Sequence, residues 1–104
     1  MQVAVIHTSF EDTPRTVAFV DVPEEISAFG TTDQCLEYAY RWTNNIMGSW
    51  SRTDIEDNGD HNPNVTVMAP LNKGGMGLRS TSMGDQMLIG NKKYKVAMCG
   101  FEAV

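Results

Sequence analysis

Cysteine and histidine are scarce in this chain of 104 residues, which has two of each. Cys35 and Cys99 lie far apart without metal-type spacing, which excludes a disulfide-rich framework or a cysteine-based zinc site as the source of stability. Both are read as reduced packing residues in apolar surroundings. His7 ends a strand-like run, and His61 sits among Asn and Asp; neither lies in a nucleophile-elbow context. The chain is therefore read as a binding protein rather than an enzyme, with no cofactor. Long apolar runs are missing as well: nothing approaches the roughly 18 residues of a membrane span. The segment Met1–His7 has neither the basic stretch nor the apolar length of a signal peptide. A cytoplasmic location is expected, where the sequon Asn64-Val65-Thr66 carries no glycan. Positive charge is also short, with 8 Lys and Arg against 13 Asp and Glu and a net charge of −5. This speaks against polymeric nucleic acid, whose binding rests on neutralised phosphates. A small anionic ligand needs only a few local cations and stays open.

What is present suits one globular domain spanning residues 1–104, of a size that buries most of its apolar surface unaided. Val3–His7 and Thr16–Val22 read as strands, separated by a turn over Ser9–Arg15, and the second strand is stopped by Pro23. Thr31 with Gln34 forms a capping box, Asp33 favours the positive helix end, and Leu36, Ala39, Tyr40 and Thr43 recur at helical spacing. This predicts a helix over 32–45, ended by Asn44-Asn45. Residues 54–63 are acidic and read as an exposed loop. Asn64–Ala69 alternates as a strand, Lys73–Gly77 is a glycine-rich turn, and Gln86–Ile89 with Tyr94–Glu102 reads as a hairpin. The expected fold is α+β, a mostly antiparallel sheet packed with one main helix.

Several constellations fall short of a chemistry. Gly74-Gly75-Met76-Gly77 lacks the Lys-Ser/Thr and the helix of a phosphate loop. Asp54, Glu56, Asn58 and Gly59 fit the start of a calcium loop, but Val65 stands where a bidentate Glu is needed. A binding pattern remains. Arg79 precedes Ser80, Thr81 and Ser82, so one guanidinium stands beside three hydroxyls, a set that can surround a phosphate or ribose or equally form a polar strand edge. Arg41-Trp42-Thr43-Asn44-Asn45 places a second cation beside an aromatic and two amides. Trp42, Trp50, Tyr38 and Tyr40 can stack on a base, and Asn can read an adenine edge. The tryptophans fit core packing as well.

Two segments carry a resemblance. Leu36–Asn45 with Gly48-Ser49-Trp50-Ser51, and Leu78–Asp85 with a hairpin ending Val96–Phe101, are similar to the first family of phage Thoeris anti-defence proteins. The likeness runs from Pro14–Phe19 to the C-terminus, and the Arg-Ser-x-Ser-x-Gly-Asp piece also resembles other small phage and mobile-element domains. Members of that family are sponges. They sequester cyclic ADP-ribose isomers made as an alarm signal by bacterial TIR-domain enzymes, and some also trap cyclic trinucleotides. The resemblance implies a nucleotide-signal sponge that leaves its ligand uncleaved in the host cytoplasm, assembled as a dimer or trimer of dimers. It implies phosphate contacts from Arg41 and Arg79, and hydroxyl contacts from Ser80 and Thr81. A base would stack on Trp42 or Trp50 and be bonded by Asn44 or Asn45. The alternative is a small acidic protein that masks a basic host surface through residues 54–60.

Overall fold

The alternation of β1 (Gln2–His7) sets the architecture: Val3, Val5 and His7 are buried, while Ala4 and Ile6 are half-buried on the opposite face. A strand with one sealed face belongs in the middle of a sheet with one covered side. The structure, a computed structural model describing residues 1–69 and 75–104, places it there. Six strands follow the order β3-β2-β1-β4-β5-β6, all neighbours antiparallel. The others are β2 (Arg15–Asp21), β3 (Val65–Val67), β4 (Gln86–Ile89), β5 (Lys92–Val96) and β6 (Phe101–Ala103). With helices α1 (Glu24–Ser27) and α2 (Thr32–Trp42) this is the expected α+β domain. Between Val5 and Ile6 the register against β2 slips by a bulge, which is why consecutive Val17 and Ala18 are both buried.

Helix α2 lies against β1 and buries Cys35, Leu36 and Ala39. Its capping box is present in both halves: Gln34 N donates to Thr31 Oγ1 at 3.2 Å, and Thr31 N donates to Gln34 Oε1 at 2.8 Å. The helix stops at Trp42, three residues short of the sequence expectation. The Thr43 hydroxyl donates to Ala39 O at 2.8 Å and the Asn44 amide to Tyr40 O, so side chains take carbonyls that further helical N–H groups would have used.

Three other expectations are corrected. The pattern missed α1, which starts just after Pro23 with Glu24 and Glu25 in its first turn. The final strand over 94–102 is two strands, because the chain reverses at Ala97–Gly100; Gly100 has a φ of +75° and Ala97 N donates to Gly100 O at 2.9 Å. Cys99 sits on that turn and is exposed, whereas Cys35 is a core residue. Lys73 and Gly74 of the glycine-rich turn lie outside the described residues. Among the described residues no helix is long and apolar enough to cross a membrane.

The cap gives a first test. Thr31→Ala removes the acceptor for the Gln34 amide and should lower stability by about 1 kcal/mol in urea unfolding, with an unchanged urea dependence.

Candidate ligand-binding site

The residues singled out in the sequence divide into two groups. One is a hydrogen-bonded junction between the loop after α2 and the segment before β4. Asn45 N donates to Ser80 Oγ at 2.8 Å, and the Asn45 amide donates to Leu78 O at 3.0 Å. The Trp50 indole N–H donates to Arg79 O at 2.9 Å, and Thr81 N donates to Thr43 O at 2.9 Å. The structure thus brings Asn45, Trp50, Arg79, Ser80 and Thr81 together, although some thirty residues separate the two segments. Their polar groups largely satisfy one another. Trp50 and Thr81 are buried, so neither presents a free face to solvent.

The other group is Arg41, Trp42 and Asn44. The Arg41 guanidinium lies 4.1 Å from the Trp42 ring centre and 3.2 Å from the Asp60 carboxylate. Asp60 is fully buried, contrary to the expectation of a solvated acidic loop. One of its oxygens accepts the N–H groups of Ile46, Met47 and Gly48 at 2.7–2.9 Å. Burial alone would raise its pKa; those three N–H groups and Arg41 outweigh burial and hold it below the usual carboxylate range. In the same loop Asp54 pairs with Arg52, and the Asn58 side chain bonds the backbone of Ser49, Arg52 and Asp60, so these donors are spent on the loop itself.

Asp85 is the second buried carboxylate, a residue to which the sequence reading gave no role. It accepts five hydrogen bonds: from Thr8 N, Ser9 N and Ser82 N, and two from the Arg79 fork, at 2.7–3.0 Å. Burial opposes its charge, and the Arg79 fork and the three amides overcome that opposition and lower its pKa. Arg79 also donates to Ser9 O and Ser80 O and lies 3.6 Å from Glu11. Both of its terminal nitrogens are therefore occupied from within the chain. Ser9 and Thr8 reinforce the junction, their hydroxyls donating to Met83 O and Gly84 O at 2.7 Å.

This clamp presents Phe10, which the sequence reading left inside a turn. Phe10 is 86% exposed, has a φ of 64°, and holds its ring centre 5.3 Å from the Arg79 guanidinium carbon. A bulky side chain in the left-handed region costs about 1–3 kcal/mol and persists only where its surroundings enforce it. The available signal was an aromatic inside an otherwise polar turn, Ser9-Phe10-Glu11-Asp12. Met83, whose carbonyl accepts the Ser9 hydroxyl, is 58% exposed and lines a cleft of about 290 Å³ together with Lys95, Met98 and Glu102.

His7 is buried beneath this site. Its Nε2 lies 2.9 Å from Thr81 Oγ1, whose hydroxyl donates to Thr43 Oγ1, which in turn donates to Ala39 O. Thr81 must therefore accept from His7, and the ring is neutral with its proton on Nε2. Its pKa is lowered to about 4, mainly by burial, against the pull of Asp85 3.9 Å away. A buried neutral histidine in a chain of hydroxyls is a structural element here. Comparison with protein-family models, with curated proteins and with solved structures finds no match to this chain.

Two outcomes are expected. Below pH 6.5 the unfolded chain takes up a proton that folded His7 refuses down to about pH 4. Stability should fall across that window by roughly 3 kcal/mol, at about 1.4 kcal/mol per pKa unit. His7→Gln should flatten the slope in urea unfolding measured across that range. Asp85→Asn breaks the clamp and should cost about 3–5 kcal/mol. Asp54→Asn, at an exposed pair, should leave the unfolding midpoint nearly unchanged.

Proposed function

We propose that this chain is a sponge for a small nucleotide signal, a cyclic ADP-ribose isomer, which it binds and returns uncleaved. The observation that carries the reading is Phe10: a fully presented aromatic ring, held in a strained conformation by five hydrogen bonds to Asp85 and backed by a guanidinium. Strain is retained where an exposed ring has a use, and stacking a base on such a ring contributes about 1–3 kcal/mol. The cation behind the ring favours an electron-rich purine face in front of it. In the cleft walled by Met83 and Met98, a phosphate would take Lys95 from its ion pair with Glu102. The cleft's volume sits at the lower end of the range for small-molecule pockets, so the ligand is shared with a second copy of the chain. The Thoeris anti-defence resemblance implies dimers and larger rings, and action in the host bacterial cytoplasm. Cyclic trinucleotides are the second ligand class on the same grounds.

In this reading the roles of the sequence-derived residues change. Arg79, Ser80, Thr81, Asn45 and Trp50 build the support beneath Phe10, and Phe10 touches the base. Arg41 and Trp42 form a separate cation–aromatic pair beside Asp60, and the Asn44 side chain is spent on the Tyr40 carbonyl.

The test is capture and release. The protein is mixed with a cyclic ADP-ribose isomer, free ligand is filtered off, and the protein is heat-denatured. Depletion before heating and recovery of intact ligand afterwards supports a sponge; a linear product identifies an enzyme; no depletion contradicts the reading. Phe10→Asn, which suits the left-handed backbone, should keep or raise stability and lower affinity about tenfold or more. Unchanged affinity in that variant would remove Phe10 from the site.

A further inference from the structure

We infer that the groove between α1 and α2 is a docking site for a basic, apolar peptide segment of a partner protein. The groove is an open depression of about 550 Å³, with Ile26, Phe29 and Tyr38 as its apolar lining and Glu25, Gln34 and Glu37 as its polar one. Phe29 is 88% exposed although it lies in the short turn between two helices, where its ring contributes nothing to the core. Set beside Ile26 and Tyr38, the Phe29 ring offers an aromatic anchor of the kind that carries binding energy at interfaces.

Charge identifies the occupant. Residues 21–40 contain Asp21, Glu24, Glu25, Asp33 and Glu37, and not one Lys or Arg. Among the described residues none of these five acids forms an ion pair, whereas Glu11, Asp54, Asp60, Asp85 and Glu102 each have a cationic neighbour. The acidity of this end is thus uncompensated, while β5 gathers Lys92, Lys93 and Lys95. An apolar floor with an uncompensated acidic rim complements Arg or Lys set beside an apolar side chain. The guanidinium fork fits a carboxylate through two hydrogen bonds and also stacks on an aromatic face, here Phe29 or Tyr38.

The groove is also preformed, which limits the ordering cost of binding. The Tyr38 hydroxyl accepts hydrogen bonds from the Asn62 and Asn64 amides at 2.8 and 3.1 Å, which fixes its ring. Gln34 is held by the capping box. Gly30 closes the turn that joins the two walls: its N–H donates to Ile26 O at 2.7 Å, and a Cβ there would meet that oxygen at 2.6 Å.

The experiment uses the full chain and a short fluorescein-labelled peptide of alternating arginine and leucine, read by fluorescence anisotropy. Two control peptides replace leucine by serine or arginine by glutamate. Binding of the first peptide and its loss in both controls is expected. Phe29→Ser alone, and Glu25→Lys with Glu37→Lys, should each weaken binding by about tenfold or more. Asp54→Lys with Glu56→Lys changes net charge by the same amount and should have much less effect, as should Phe10→Asn. Absence of binding overturns the proposal, and so does an equal loss in the residue-54 and residue-56 variant, which would reduce the effect to net charge. Spermidine competing as well as the peptide would make the occupant a small cation. Concentration-dependent self-association abolished by Phe29→Ser would make it a second copy. Either result would also overturn the proposal. Because Phe10 is absent from this groove, failure here leaves the nucleotide reading standing, and failure there leaves this one.

Discussion

The Asp85 carboxylate is the constraint on which the loop end of this molecule depends. It is fully buried, and a buried charge without partners is too costly to keep. Its five donors come from two places far apart in sequence: the residues just after β1, and the Arg79–Ser82 segment before β4. Satisfying one carboxylate therefore ties the Thr8–Ser9 turn to the Arg79–Ser82 segment. That tie stacks Arg79 behind Phe10 and brings Thr81 over His7. Asp60 does the same at the other loop, gathering the amides of Ile46, Met47 and Gly48 and facing Arg41. The sheet and α2 form an apolar core, but the loops are organised by two buried acids.

These acids also explain which parts of the structure could be read in advance. The capping box, the alternation of β1 and the apolar stripe of α2 are local signals, and they placed the helix start and the central strand correctly. Helix ends and loop organisation depend on side chains that reach elsewhere. The stop at Trp42 follows from Thr43 and Asn44 bonding back to carbonyls, and nothing in the apolar period reveals that. Asp60 reads as one of several loop acids, yet it alone in the run from Asp54 to Asp60 is buried, because amides twelve to fourteen residues earlier close around it. Asp85 is linked to Thr8 across 77 residues. The Arg79–Asp85 motif was legible as a polar concentration, but its inward direction was not.

That direction reshapes the candidate site. An arginine beside three hydroxyls reads as a phosphate cradle, whereas here the anion it holds is Asp85. What the cradle supports is an exposed, strained aromatic, a feature with no periodic signature. The arrangement resembles many binding sites in outline, with a rigid polar layer below and a ligand-facing group above whose conformation the layer dictates. The acidic face at α1 and α2 is separate from it in charge and in lining.

The account stands or falls on the rigidity that Asp85 confers on the Phe10 turn, and amide hydrogen exchange reads this directly. The Thr8 and Ser9 amides should exchange slowly, with an opening free energy approaching that of β1. In Asp85→Asn, under conditions where the fold is retained, these two amides should lose protection by more than the β1 amides do. Exchange of Thr8 and Ser9 at the unfolded-chain rate in the natural protein, or protection unchanged in the variant, would contradict the account.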